Sequence, residues 1–344
     1  MAYISFQPND YFNTNFYTGN NTDNRAITGI GFQPDFTWIK LANTTQQHEL
    51  FDVVRGANKP ISSNLTNAQT TETNKLKSFD SDGFTLGTST SVNKNYYYIS
   101  QNWKANGAGS SNTDGSITST VSASTTSGFS IVQWTGDGST ATIGHGLNAV
   151  PKMIITKRLD TADNWFTYHS SLGNTKYLLL EASDAEATSS GAWNNTNPTS
   201  SVFTKASATN VSGATYVAYC FTQKSGFSSI GSYVGNGSSD GSFIYLGFKP
   251  KFLMTKYAFT GGTGGWLMYN ASLNTVNKDQ FFHHEANTDA SWVDNTDRVD
   301  FLSNGFKFRD STNSDSNTSG GTYVYMAFAE EPLVSSNGVP AVAR

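Results

Sequence analysis

Apolar residues along this chain alternate with polar ones in short bursts, and Gly, Asn, Asp and Pro close the bursts. A period of two predicts strands rather than helices. One burst occurs three times: Phe36-Thr37-Trp38-Ile39-Lys40, Met153-Ile154-Ile155-Thr156-Lys157 and Phe252-Leu253-Met254-Thr255-Lys256. Each follows a Gly, an apolar residue and a Pro (Pro34, Pro151, Pro250), and a Lys stands six positions after that Pro (Lys40, Lys157, Lys256). Alternate residues share a face, so each apolar pair should look into a core. Each Lys should sit where its strand leaves the sheet, its stem on apolar surface and its amine at the rim. The functional alternative is a cation that meets an anionic ligand or a neighbouring subunit. A Lys kept in three dissimilar surroundings argues for the structural role.

The bursts sit in three longer, parallel arrangements. Each opens on an aromatic strand end and a Gly: Tyr17-Thr18-Gly19-Asn20, Trp134-Thr135-Gly136-Asp137 and Tyr233-Val234-Gly235-Asn236. These read as turns, because Gly and Asn tolerate positive φ. After the burst comes an aromatic strand, Trp165-Phe166-Thr167-Tyr168 and Trp266-Leu267-Met268-Tyr269, with His48-Glu49-Leu50-Phe51 in the first copy. Exposed Trp can stack on a sugar ring, so Trp165, Trp266 and His48 are the ligand-binding candidates. Core packing is the competing role, since Trp buries so much area. The Gly-rich loop Thr260-Gly261-Gly262-Thr263-Gly264-Gly265 is where a ligand would be met.

Long polar middles follow, with Asp184-Ala185-Glu186-Ala187 as a single helical turn. Each copy then closes on a strand with two apolar faces in the second and third, Tyr216–Phe221 and Tyr323–Phe328, which predicts a central position. Cys220 in that strand reads as a small buried hydrophobe.

The expected architecture is all-β: three tandem β-sandwich, jelly-roll-like repeats joined by Gly/Ser/Thr-rich linkers. The boundaries are an N-terminal arm over 1–15, repeats over 16–105, 128–226 and 227–331, a linker over 106–127 and an extended tail over 332–344. The alternation Ile117-Thr118-Ser119-Thr120-Val121 allows a short strand inside that linker.

Composition narrows the function. The 344 residues carry a net charge of -4 and only 14% charged residues, which supplies no basic stripe for nucleic acid. A single cysteine excludes an internal disulfide. No long apolar run predicts membrane insertion, and the first residues lack the pattern of a secretory signal, so synthesis in a cytoplasm is expected. The histidines at 48, 145, 169, 283 and 284 form no metal-ligand spacing, and Asp80-Ser81-Asp82-Gly83 lacks the Glu that would complete a calcium loop. No metal, cofactor or catalytic residue is therefore assigned.

Several stretches carry a resemblance: Phe6–Thr14, Ser78–Phe84, Asn112–Ala123, Gly231–Gly237, Gly320–Pro332 and Gly338–Ala341. Together they resemble a family of uncharacterised structural proteins of marine tailed phages, including cyanophages. The resemblance implies a non-enzymatic protein on the exterior of the virion, made in the host bacterial cytoplasm. A tail-fibre or adhesin component contacting host-surface glycan is the first expectation. A capsid-bound decoration or knob protein is the second, and a polysaccharide depolymerase is the alternative from another class. The expected partners are other virion proteins and copies of the chain itself, with a trimer as one such state.

Overall fold

A computed structural model describes residues 6–258, 262–273, 283–293, 298–311 and 315–333. These form an all-β, sandwich-like fold of three large antiparallel sheets and three small ones. Among the described residues no helix is long and apolar enough to cross a membrane.

The first large sheet has the strand order Phe12–Thr18, Tyr97–Trp103, Phe36–Leu41, Glu49–Asp52. The second carries the same order at its centre: Phe129–Thr135, Thr215–Phe221, Met153–Arg158, Trp165–His169. So does the third, with Ser228–Val234, Thr322–Pro332, Phe248–Tyr257 and Trp266–Asn270. The strand with the recurring burst thus has a hydrogen-bonded neighbour on each side. Such a strand must be apolar on both faces, and every residue of Phe36–Leu41 is buried.

The registers correspond. Phe36 pairs with Trp103, Met153 with Phe221 and Phe252 with Phe328. Those six side chains, with Trp38, Ile155 and Met254, meet in one core shared by all three large sheets. The opposite faces, through Ile39, Ile154 and Leu253, enter three separate clusters closed by the small sheets. Each large apolar side chain so buried stabilises the fold by about 1.5–3 kcal/mol. The shared core therefore binds the three sheets together far more strongly than any tether between them.

Within the linker expected over 106–127 the short strand allowed at Ile117–Val121 is present, shifted to Ser119–Ser124, and a second strand joins it. Ser110–Asn112 and Ser119–Ser124 are strands that extend the second sheet beyond Phe129–Thr135. Small hydroxyl residues disguise them: Ser119, Ser122 and Ser124 are buried together with Val121. The N-terminal arm also ends early, because Phe12 already pairs with Trp103 at the edge of the first sheet. The only helical turn near Asp184–Ala187 is Ser190–Trp193, capped by the Ser189 hydroxyl. The closing strands are central as expected, and Cys220 is fully buried, where burial pushes its thiol pKa up. The tail from residue 334, and residues 260–261 of the Gly-rich loop, lie outside the described residues.

Glycine does two different jobs. Gly31, Gly146 and Gly247, ahead of the three prolines, take φ of +90°, +69° and +78°, the left-handed region that favours glycine. Gly19, Gly136 and Gly235 do not have the positive φ expected of them. They are needed because a Cβ there would strike the carbonyl oxygen of Lys94, Val211 or Thr318 at 1.6, 2.3 or 2.3 Å.

Candidate functional site

The three lysines end their strands fully buried, at 1%, 1% and 0% exposure for Lys40, Lys157 and Lys256. An amine at an open rim is therefore corrected. Lys40 Nζ donates to Gln46 O at 2.8 Å and to Asp289 O at 3.1 Å. Lys157 Nζ donates to Asp163 O and Thr66 O, both at 2.8 Å. Lys256 Nζ donates to Gly264 O and, at 2.9 Å, to Ser183 O.

In each pair one carbonyl belongs to the lysine's own loop, and the other to a segment arriving from a different large sheet. The loop residue also gives its N–H to the arriving carbonyl: Gln46 to Asp289 O at 2.8 Å, Asp163 to Thr66 O and Gly264 to Ser183 O, both at 2.9 Å. Three residues further along the arriving segment, the N–H of Trp292, Gln69 or Glu186 bonds back to Ala42, Leu159 or Ala258, two residues past the lysine. The direction is cyclic. The polar middle after the first sheet clasps the second, that of the second clasps the third, and that of the third clasps the first.

The aromatic candidates close the same clasps. Trp165 Nε1 donates to Ser62 O at 3.1 Å, and Trp266 Nε1 to Leu179 O at 2.8 Å. His48 Nε2 lies 3.0 Å from Glu285 O. Each of these carbonyls is four residues before the one that meets the lysine. His48 Nδ1 accepts from Trp38 Nε1 at 2.8 Å, so the ring proton is on Nε2 and donates. Trp165, Trp266 and His48 are 0%, 1% and 0% exposed, so their assignment as ligand contacts is corrected. Pro34, Pro151 and Pro250 are buried at the entry of the same strands.

Burial sets the charges here. It pushes Lys40, Lys157 and Lys256 down to about 8, against the pull of nearby carboxylates. Burial, and then Lys40, hold His48 well below the usual histidine value, so it is neutral. The clasp is hydrogen-bonded rather than ionic, and it offers no open face to a substrate.

Two features break this threefold scheme, and both lie on the first sheet. Glu49 pairs with Ile39 as Phe166 pairs with Thr156 and Leu267 with Thr255. A carboxylate thus stands where the other two large sheets place a large apolar side chain. It is 2% exposed. Lys75 Nζ meets Oε1 at 2.7 Å. Oε2 is buried without a hydrogen-bond partner. Burial raises the pKa, and Lys75 opposes that shift. Glu49 lines a cleft of about 580 Å³ together with Gln47, Glu72, Ser89, Ser91 and Lys75. Tyr96 borders an adjoining hollow that shares Thr90 and Lys94 with it.

The second break is an aromatic cluster at the junction of the first and third sheets. Phe16 and Tyr97 are 39% and 43% exposed, and Trp292 joins them. The three ring centroids are 5.6, 6.2 and 6.3 Å apart, with planes within 32°, 19° and 25° of parallel. At the corresponding positions the second sheet's junction has Gln133, Thr215 and Gln69, and the third sheet's has Ser232, Thr322 and Glu186. Neither feature was among the sequence candidates. The run Tyr96-Tyr97-Tyr98 held a signal for the second, since adjacent strand residues face opposite ways and one tyrosine had to face out.

Asp82, in the calcium-like stretch, accepts the Gly29 and Gly31 N–H groups at 2.9 and 2.6 Å and so closes a turn. Among the described residues no three His, Cys, Asp or Glu side chains gather as a metal site. Residues 7–332 match the family described as Domain of unknown function (DUF7483), and the chain belongs to that family. No curated protein and no solved structure matches it.

Proposed function

We propose that this member of the family is a non-enzymatic structural protein on the exterior of a tailed-phage virion, a tail-fibre or adhesin component that contacts host-surface glycan. In this reading the chain is three tandem copies of one β-sandwich unit, closed into a ring by the lysine clasps. The observation that carries the reading is the exposed Phe16–Tyr97–Trp292 cluster. Phe16 and Tyr97, exposed beside the half-buried Trp292, offer apolar ring surface to the C–H face of a sugar. Their absence from the other two junctions means that the fold itself does not require them.

Ring closure favours one second reading, a capsid-bound decoration or knob protein. A chain with internal threefold repetition matches a threefold position on a particle, as a trimer of single units would.

The test is to label intact particles with an antibody to this chain and to measure binding of the purified protein to host cells. Label at the tail, with saturable binding competed by sugar and weakened by Phe16→Ser, supports the adhesin. Label spread over the head with no cell binding overturns it and leaves decoration. Release of oligosaccharide from host polysaccharide by the purified chain would overturn the non-enzymatic reading.

A further inference from the structure

Glu49 is a buried carboxylate at a position where the fold does not require one. Its counterparts, Phe166 and Leu267, show that the position is satisfied by an apolar side chain facing a sandwich core. The carboxylate is nevertheless buried there, with one oxygen on Lys75 and the other unpaired. A buried, unpaired carboxylate oxygen is costly, and an apolar replacement costs nothing comparable. The Ser91 hydroxyl stands close enough to favour the ionised carboxylate, and it also meets Ser89 Oγ at 3.1 Å. Beyond Lys75 and the nearby Ser91 hydroxyl, the carboxylate keeps acceptor capacity on Oε2.

We propose that the cleft at Glu49 is a binding site for a neutral, hydroxyl-rich ligand, a saccharide, with Glu49 Oε2 accepting from a ligand hydroxyl. The lining argues for that class. Its charges balance, Glu49 and Glu72 against Lys75 and Lys94, so neither an anion nor a cation is favoured. The remaining polar lining is hydroxyl and amide, as in Gln47 and Ser89, the groups that pair with sugar hydroxyls. Pro60, Ile61 and Leu65 supply an apolar wall for the C–H face of a ring. The volume, about 580 Å³, is within the range of small-molecule sites. The Lys75–Glu49 pair, half-buried on the lysine side, keeps the carboxylate oriented. This site does not depend on the virion reading, because it is assigned from the cleft's own chemistry.

The experiment uses the purified full chain and saturation-transfer NMR. The probes are methyl α-glucopyranoside, methyl β-galactopyranoside and N-acetylglucosamine, with calcium chloride and inorganic phosphate titrated separately. The expected result is transfer to at least one sugar, abolished or weakened at least tenfold by Glu49→Leu, a side chain that the third copy already carries at this position. Glu49→Gln, which keeps an acceptor, should retain part of the binding, and Phe16→Ser should leave it unchanged. Thermal melting checks that each variant is folded. No transfer to any of these sugars overturns the proposal, as does transfer unchanged in Glu49→Leu, or saturable binding of calcium or phosphate that depends on Glu49. Cell binding and particle labelling are not read here, so failure at this cleft leaves the adhesin test intact.

Discussion

At Lys40, Lys157 and Lys256 a buried lysine amine is met by two carbonyls, while at Glu49 a buried carboxylate oxygen, Oε2, meets no hydrogen-bond partner. Both arrangements flank corresponding strands of corresponding sheets. The lysines recur because they serve what the three large sheets share, which is the docking of one sheet's polar middle onto the next. Glu49 does not recur, and its counterparts in the other two large sheets, Phe166 and Leu267, are apolar. A third case sharpens the contrast. Lys205 is buried in the second sandwich, with its amine 4.3 Å from the Trp193 ring and 5.2 Å from that of Phe166, and with only the Thr156 hydroxyl, at 3.3 Å, as a hydrogen-bond acceptor. Burial pushes it down to about 7. Recurrence marks the ionisable groups that hold the fold together, and its lack marks those the fold carries at a cost.

The comparison breaks most visibly at the junction of the first and second sheets. Asp52, Arg55 and Tyr219 form a buried cluster there, with the Arg55 Nε–Asp52 Oδ2 pair at 2.5 Å and Tyr219 OH 2.8 Å from the same oxygen. Arg55→Met strands Asp52 and should cost about 3–5 kcal/mol in urea unfolding. A loss under 1 kcal/mol would show that the cluster does not tie the sheets.

Lys205→Met tests the opposite sign. A shift from 10.5 to about 7 corresponds to a charging cost on the order of 5 kcal/mol below neutral pH. The folded pKa lies below the unfolded one, so the unfolded chain binds more protons between the two values. Stability should therefore rise as pH goes from about 7 towards 10. Lys40, Lys157 and Lys256, each at about 8, add to the rise above that pH. Urea midpoints from pH 6 to 9.5 measure this. The Met variant should be more stable at pH 7, and its profile should be flatter between 7 and 8. A wild-type midpoint that falls over this range contradicts the assignment.

The three clasps should then behave alike. Lys40→Met, Lys157→Met and Lys256→Met each leave a loop carbonyl without its donor, at a cost of about 1–3 kcal/mol. Similar losses at all three positions are the signature of equivalent clasps, and a loss confined to one would end the equivalence. The smallest effect belongs to Phe16→Ser, which installs the residue found at the third sheet. An exposed site should change stability by less than about 0.5 kcal/mol, so any loss of cell binding in that variant reports on contact rather than folding.

Much of this was legible before any coordinates. The threefold Pro-to-Lys spacing located the strands, and the apolar alternation told which pairs, Phe36 with Trp38 or Met153 with Ile155, face a core. The edge strand Ser110–Asn112 is hidden because small hydroxyl residues have the composition of a linker, while Ser119–Ser124 shows only in the alternation Ile117–Val121 that allowed a short strand there. Trp165, Trp266 and His48 were found as a matched set, but an aromatic residue that packs and one that binds look the same in a sequence. Glu49 was visible only as a member of His48-Glu49-Leu50-Phe51. Its oddity emerges when the register sets it beside Phe166 and Leu267.

The sequence by itself determined the β architecture, the three matched bursts and the buried central strands, because strand formation and facing follow from local alternation. The tertiary structure decided which side of each sheet became the common core, and that the polar middles pass cyclically to the next sheet. It also decided that the lysine amines end among carbonyls. Those outcomes depend on contacts between residues tens to hundreds of positions apart, such as Lys40 with Asp289, and no local period encodes such a pairing.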